Sequence, residues 1–256
     1  MAHSAEEIRA ELKVFLEGRE EVLAAWEGGS AATGWLDEYS DLDLEIVTGG
    51  SDTEPVFSLL EEYFAAQYGI ERKFRMPEPA WHGMSQCFYL LRDCPAYFYC
   101  DIAVVTRENP HKFNEPDRHG HSVVWFDKAG VFKAEPTPRE AVEQLARRVW
   151  ASATETDFLS LIELEKALAR KNWIAAYMNY WIFLNRQLVS LLNLKYRRAK
   201  ADFGIRYSER EYPPAEAEKL ADLLKTVCLE DIRKNYENAL AWYQALIAEL
   251  EPDFRE

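Results

Sequence analysis

Gly29-Ser30-Ala31-Ala32-Thr33-Gly34-Trp35-Leu36-Asp37-Glu38-Tyr39-Ser40-Asp41-Leu42-Asp43-Leu44-Glu45-Ile46-Val47 is the stretch on which the fold turns. From Asp41 onward, acidic and apolar residues alternate, the period of a strand with two unlike faces. Asp41 and Asp43 then point the same way, roughly 7 Å apart. Two carboxylates on one face are costly unless a cation lies between them. Mg²⁺ suits such oxygen ligands, because it takes one or two carboxylates and fills its other positions with phosphate oxygens and water. Gly29-Ser30 follows a strand-like segment and precedes a short helical one. Glycine lets a phosphate approach the backbone, and N–H groups at such a turn point at the anion. A phosphate cradle beside a metal clamp is what transfer from a triphosphate requires.

Outward from this stretch, elements alternate in type. Ser4 and Glu7 form a capping box, and Ile8, Leu12 and Phe15 give the helical period after it. Residues 21–26 read as a strand, 42–47 as a second, and 52–68 as an amphipathic helix carrying Val56, Leu59, Leu60 and Phe64 on one face. Further strands are expected over 85–91, 97–105 and 123–126. Arg72, Lys73 and Arg75 alternate before Pro77-Glu78-Pro79, and either reach a phosphate or lie on an exposed face. Pro136-Thr137-Pro138 then opens a run of purely helical periods: 139–153, 157–170, 172–194, 215–228 and 230–250. In the third of these, Ile174, Tyr177, Met178, Trp181, Leu184, Leu188 and Leu191 share a face, more in keeping with a bundle core than with a ligand site. The fold class is therefore α+β: a mixed sheet flanked by helices over residues 1–135, then a helical bundle over 136–256.

The chain has 256 residues, 48% of them hydrophobic, which supports packed cores and excludes global disorder. Its formal net charge of -14 disfavours nucleic acid as a partner and suits a cationic small molecule. Residues 1–18 are polar and hold no apolar signal segment, and no stretch has the roughly 18 apolar residues of a membrane span. Cys87, Cys94, Cys100 and Cys228 match no metal-binding spacing and read as reduced thiols of a cytoplasmic protein. His119-Gly120-His121 reads as a polar loop.

Gly29-Ser30, ten intervening residues and then Asp41-Leu42-Asp43 in an apolar strand resemble the nucleotidyltransferase superfamily of polymerase beta and the antibiotic adenylyltransferases. The wording Leu36-Asp37-Glu38-Tyr39-Ser40-Asp41 is most similar to the small-molecule branch. The resemblance implies a third carboxylate on a neighbouring strand, matched by Asp101 in Phe98-Tyr99-Cys100-Asp101-Ile102-Ala103, which binds metal or takes the proton of the attacking hydroxyl. It further implies Mg²⁺ held by Asp41, Asp43 and Asp101, and ATP as donor, with its phosphates on Gly29 and Ser30. AMP passes to a hydroxyl of a small acceptor, aminoglycosides first, and pyrophosphate leaves. Glu45 either extends the cluster or leaves the site. Two rival readings are an adenylyltransferase acting on a protein or tRNA, and a catalytically silent nucleotide-binding module. The net charge speaks against tRNA, and the intact carboxylate trio against silence.

Overall fold

The structure is a computed structural model that describes residues 3–78, 80, 82–109 and 113–255. The chain divides into two compact units, Met1–Pro136 and Thr137–Glu256.

In the first unit, α1 (Ala5–Glu17) begins at the Ser4 box: Ser4 Oγ accepts from Glu7 N at 3.1 Å, and Ser4 N donates to Glu7 Oε2 at 2.8 Å. Such a cap stabilises a helix start by about 1 kcal/mol. Then follow β1 (Val22–Glu27), α2 (Gly29–Thr33), β2 (Leu42–Thr48), α3 (Glu54–Gln67), β3 (Ile70–Arg75), β4 (Ser85–Leu91), β5 (Cys100–Thr106), α4 (Pro116–His119) and β6 (Val123–Asp127). The strands form one mixed sheet in the order β3-β4-β5-β2-β1-β6. β2 and β5 run parallel, and the other neighbours are antiparallel.

Strand alternation sorts the two faces. Leu42, Leu44, Ile46, Cys100, Ile102 and Val104 pack under Ile8, Leu12 and Leu16 of α1 and Val56, Phe57, Leu60 and Phe64 of α3. Each such large apolar side chain contributes about 1.5–3 kcal/mol through burial. The opposite face carries Ala24, Trp26, Val47, Met84, Ala103 and Val105, partly covered by Val131 and Phe132. Asp43 and Asp101 belong to this second face, beyond the edge of its apolar patch.

The sequence reading named no strand over 70–75. There β3 forms an edge strand, mostly exposed, and its charges guard the open edge. Lys73 pairs with Glu61 at 2.7 Å, and Arg75 pairs with Glu78 at 2.7 Å while lying over the Phe57 ring at 3.5 Å. These two cations are committed to the scaffold.

The second unit is helical among its described residues: α5 (Arg139–Glu155), α6 (Asp157–Ala169), α7 (Trp173–Phe183), α8 (Val189–Tyr196), α9 (Ser208–Glu211), α10 (Pro214–Leu223) and α11 (Leu229–Leu250). The α+β class therefore holds, with a mixed six-stranded sheet flanked by helices and followed by further helices. The helix expected over 172–194 is interrupted by a π-helical turn, Leu184–Leu188. An extra residue per turn rotates what precedes it. α7 therefore buries Ala176, Tyr180 and Phe183, while Ile174, Tyr177 and Met178, expected on the core face, are exposed. Arg197, buried against Tyr212, pairs with Glu211 at 2.7 Å and donates to the Gly204 carbonyl at 2.6 Å, which ties down the connection after α8. No helix among the described residues is long and apolar enough to cross a membrane.

Candidate active site

The site is assembled at the start of two parallel strands. β2 and β5 pair with Leu42 opposite Cys100 and Asp43 opposite Asp101. Both aspartates hold the second position of their strands, and cross-strand partners project to one face about 4.8 Å apart. Their flanking residues Leu42, Leu44, Cys100 and Ile102 are buried on the other face, which forces the acids outward.

Gly29 abuts this pair. Gly28 N donates to the Asp43 carbonyl at 2.8 Å, so the end of β1 is fastened to β2 where the turn begins. Gly29 then takes φ +51°, and a Cβ there would lie 1.7 Å from Asp43 Oδ2 and 2.5 Å from Cγ. Only a residue without a side chain lets the carboxylate occupy that place. Ser30 continues α2, and its carbonyl accepts from Trp35 N at 2.9 Å and from Thr33 Oγ1 at 3.2 Å. His121 N donates to the Ala32 carbonyl at 2.8 Å, which fixes the outer side of this turn. His119, half-buried rather than in an open polar loop, lies 3.9 Å from Glu115.

Asp41 ends the loop before β2. Asp37 shapes that loop by accepting from Tyr39 N at 3.0 Å and from Ser40 Oγ at 2.9 Å. Arg9 of α1 donates to the Asp41 carbonyl at 2.6 Å and, through Nε, to Glu27 Oε1 at 2.8 Å. Burial pushes the Glu27 carboxyl up, Arg9 draws it back down, and the charge of Asp41 adds to the rise. The Tyr99 hydroxyl bonds the Asp41 carboxylate; burial raises its pKa first, then Asp41, and the fields of Asp43 and Asp101 add to it. Asp41, Asp43 and Asp101 thus act on a common neighbourhood.

Asp101 is half-buried. Burial pushes its carboxyl up to about 6, Gln86 Nε2 opposes this by donating to Oδ1 at 2.6 Å, and Asp41 adds to the rise. An acid held near 6 is suited to accept a proton near neutral pH. Glu45, two residues along the same face, is buried opposite Trp26.

Gly29, Asp43 and Asp101 therefore meet, with Asp41 at the strand entrance and Ser30 on the short helix. Among the described residues, no group of three or more His, Cys, Asp or Glu side chains is gathered tightly enough to hold a metal by protein ligands alone. The donor set still fits Mg²⁺. Its oxygens are hard, two of the acids are in register, and this ion needs only one or two carboxylates when phosphate and water complete its shell. Tyr99, Gln86, Arg9 and Glu27 were missed in the sequence reading. A glutamine inside the apolar strand 85–91 was the only signal for any of them.

No protein-family model matches the chain, and no curated protein matches it. Among solved structures, it is similar to an aminoglycoside 6-adenyltransferase from Bacillus subtilis, with a TM-score of 0.35 and 14% identity over 97% of this chain and 92% of that one. A likeness at that level says nothing of substrate or chemistry, and the site stands on its own geometry.

Proposed function

We propose that the first unit is a magnesium-dependent nucleotidyltransferase that moves AMP from ATP to a hydroxyl of a small acceptor. The observation that carries this reading is the carboxylate of Asp43 seated on the bare Cα of Gly29, in register with Asp101 on a parallel strand. Gly29 and Ser30 would bind the triphosphate; the in-register pair Asp43 and Asp101 would hold the metal on it, with Asp41 at the strand entrance as the further carboxylate. When bound, Mg²⁺ neutralises charge on the attacking and leaving oxygens, worth several kcal/mol. Asp101 orients the acceptor hydroxyl and takes its proton. The hydroxyl oxygen bonds to the α-phosphorus, the bond from that phosphorus to the bridging oxygen breaks, and pyrophosphate departs. The net charge of -14 favours a cationic acceptor, so amino sugars of the aminoglycoside kind come first.

The test incubates the whole chain with α-labelled ATP, Mg²⁺ and a panel of amino sugars, lincosamides and proteins. Label is expected on a small hydroxylated acceptor, with stoichiometric pyrophosphate. Label on protein alone would replace the acceptor class. ATP binding without transfer to any acceptor would leave a silent module and refute the enzyme reading.

A further inference from the structure

His82, in the turn before β4, is 8% exposed and lies outside the carboxylate cluster. Met84 N donates to its Nδ1 at 3.1 Å. A backbone N–H can only donate, so Nδ1 must be the acceptor and the proton of the neutral ring sits on Nε2. Nε2 lies 3.0 Å from Gln86 Oε1. The amide of Gln86 is thereby given one orientation, its oxygen towards His82 and its NH₂ towards Asp101 Oδ1, 2.6 Å away. Each link sets the polarity of the next, starting from a backbone group that cannot reverse.

The register explains why the chain ends at Asp101. Gln86 stands opposite Ala103 and Phe88 opposite Asp101, so all four share one face of the sheet. The Gln86 side chain spans the diagonal to the acid two residues away. With Oδ1 held from β4, the carboxylate cannot turn about its Cβ–Cγ bond without breaking a short hydrogen bond. Oδ2 is the oxygen left for a cation or a proton.

We propose that His82 and Gln86 are positioning residues that hold the Asp101 carboxylate in its working orientation, through a hydrogen-bond chain anchored on the Met84 backbone. The proposal rests on the reading of Asp101 as metal ligand and proton acceptor. The amide donor also favours the charged carboxylate; what the chain adds beyond that is a fixed plane and a dedicated oxygen.

The test uses the full chain and four variants: Gln86→Leu, His82→Phe, Asp101→Asn and the Gln86→Leu/Asp101→Asn double. Mn²⁺ alone is titrated by electron paramagnetic resonance, kcat and KM for ATP are measured, and thermal melting checks the fold. Gln86→Leu is expected to weaken Mn²⁺ binding about 10–100-fold and to lower kcat by a similar factor, with KM for ATP moving less than about threefold. His82→Phe should act in the same direction and less strongly. The double variant should bind Mn²⁺ no more weakly than Asp101→Asn, because the glutamine then has nothing left to position. Additive losses, or a lowered melting temperature with unchanged Mn²⁺ binding and kcat, would overturn the proposal. Transfer by the wild type together with additive losses refutes the positioning role alone. Mn²⁺ coupling without any transfer refutes the enzyme reading alone. A wild type that binds no Mn²⁺ overturns both.

Discussion

Replacing Gly29 by alanine isolates the contact between the glycine turn and the carboxylate pair. At this position a Cβ would fall 1.7 Å from Asp43 Oδ2, 2.5 Å from Cγ and 3.1 Å from Cβ. Ordinary contacts need about 3.5 Å, so the carboxylate must withdraw by more than about 1.5 Å. The backbone of Asp43 cannot follow, because it is paired in β2 with Asp101 on one side and Gly28 N on the other. The side chain therefore rotates away, and the oxygen proposed to bind metal leaves its place. A misplacement of about 1 Å commonly costs about 10²-fold in rate, close to 2.7 kcal/mol of barrier. The substitution also forces alanine to φ +51°, which costs about 1–2 kcal/mol of stability by itself. Gly34→Ala supplies the control, because Gly34 has φ +74° and a Cβ added there would meet nothing within 4 Å. Both variants should melt lower by a similar margin. Only Gly29→Ala should lose pyrophosphate release by about 100-fold or more, along with Mn²⁺ affinity. Equal turnover in the two variants would refute the claim that Gly29 exists to seat Asp43.

Asp43→Asn should abolish transfer, by more than about 100-fold in pyrophosphate release, while its melting temperature stays level or rises slightly, since one of several repelling charges is gone. The Asp101 carboxyl sits at about 6 in the fold against 3.8 ordinarily, so the folded state prefers its neutral form; that stability is present below about pH 4 and lost as pH rises through 6. The shift sets a ceiling of about 3 kcal/mol, reduced to about 1–2 by partial exposure. In EDTA, Asp101→Asn should therefore gain melting temperature over the wild type at pH 8 and not at pH 4, and parallel curves at both pH values would contradict the buried-acid account. Turnover lost to EDTA should return with Mg²⁺ or Mn²⁺ and survive a zinc-selective chelator. Described residues gather no cluster of three potential metal ligands, and the four cysteines are free, so loss of activity on zinc removal would count against the site.

Much of the scaffold was legible because its signals are local. The Ser4–Glu7 cap lies within one turn, and the alternation from Asp41 to Val47 lies within one strand. Their physics needs no distant partner. The edge strand β3 was not named, because four charged residues in Ile70–Arg75 hide its period, and the strand is held by pairing with β4 rather than by burial. The π-helical turn at Leu184–Leu188 was hidden for a different reason. A helical period extrapolated from Leu184, Leu188 and Leu191 assigns Ile174, Tyr177 and Met178 to the core, and one inserted residue is enough to turn them outward.

The same distinction separates the site residues. Asp43 could be named in advance from the Asp-x-Asp alternation after Gly29-Ser30, and Asp101 as the acid near the start of an apolar strand that the family resemblance implies. Apolar neighbours on the other face leave such an acid one direction to point. Gln86, His82 and Tyr99 carry no such mark. Gln86 faces Asp101 because β4 runs antiparallel to β5 with Phe88 opposite Asp101; a slip of one residue would turn Gln86 to the helix-covered face and bring Ser85 or Cys87 round instead. Register is set by the whole sheet, through the apolar side chains that must meet α1 and α3. The hydrogen-bond chain to Asp101 is therefore a product of the core packing on the opposite side of the sheet. Overpacking at Cys87 or Tyr89, whose side chains are buried there, would reach the acid through strand position before it reached it through any direct contact.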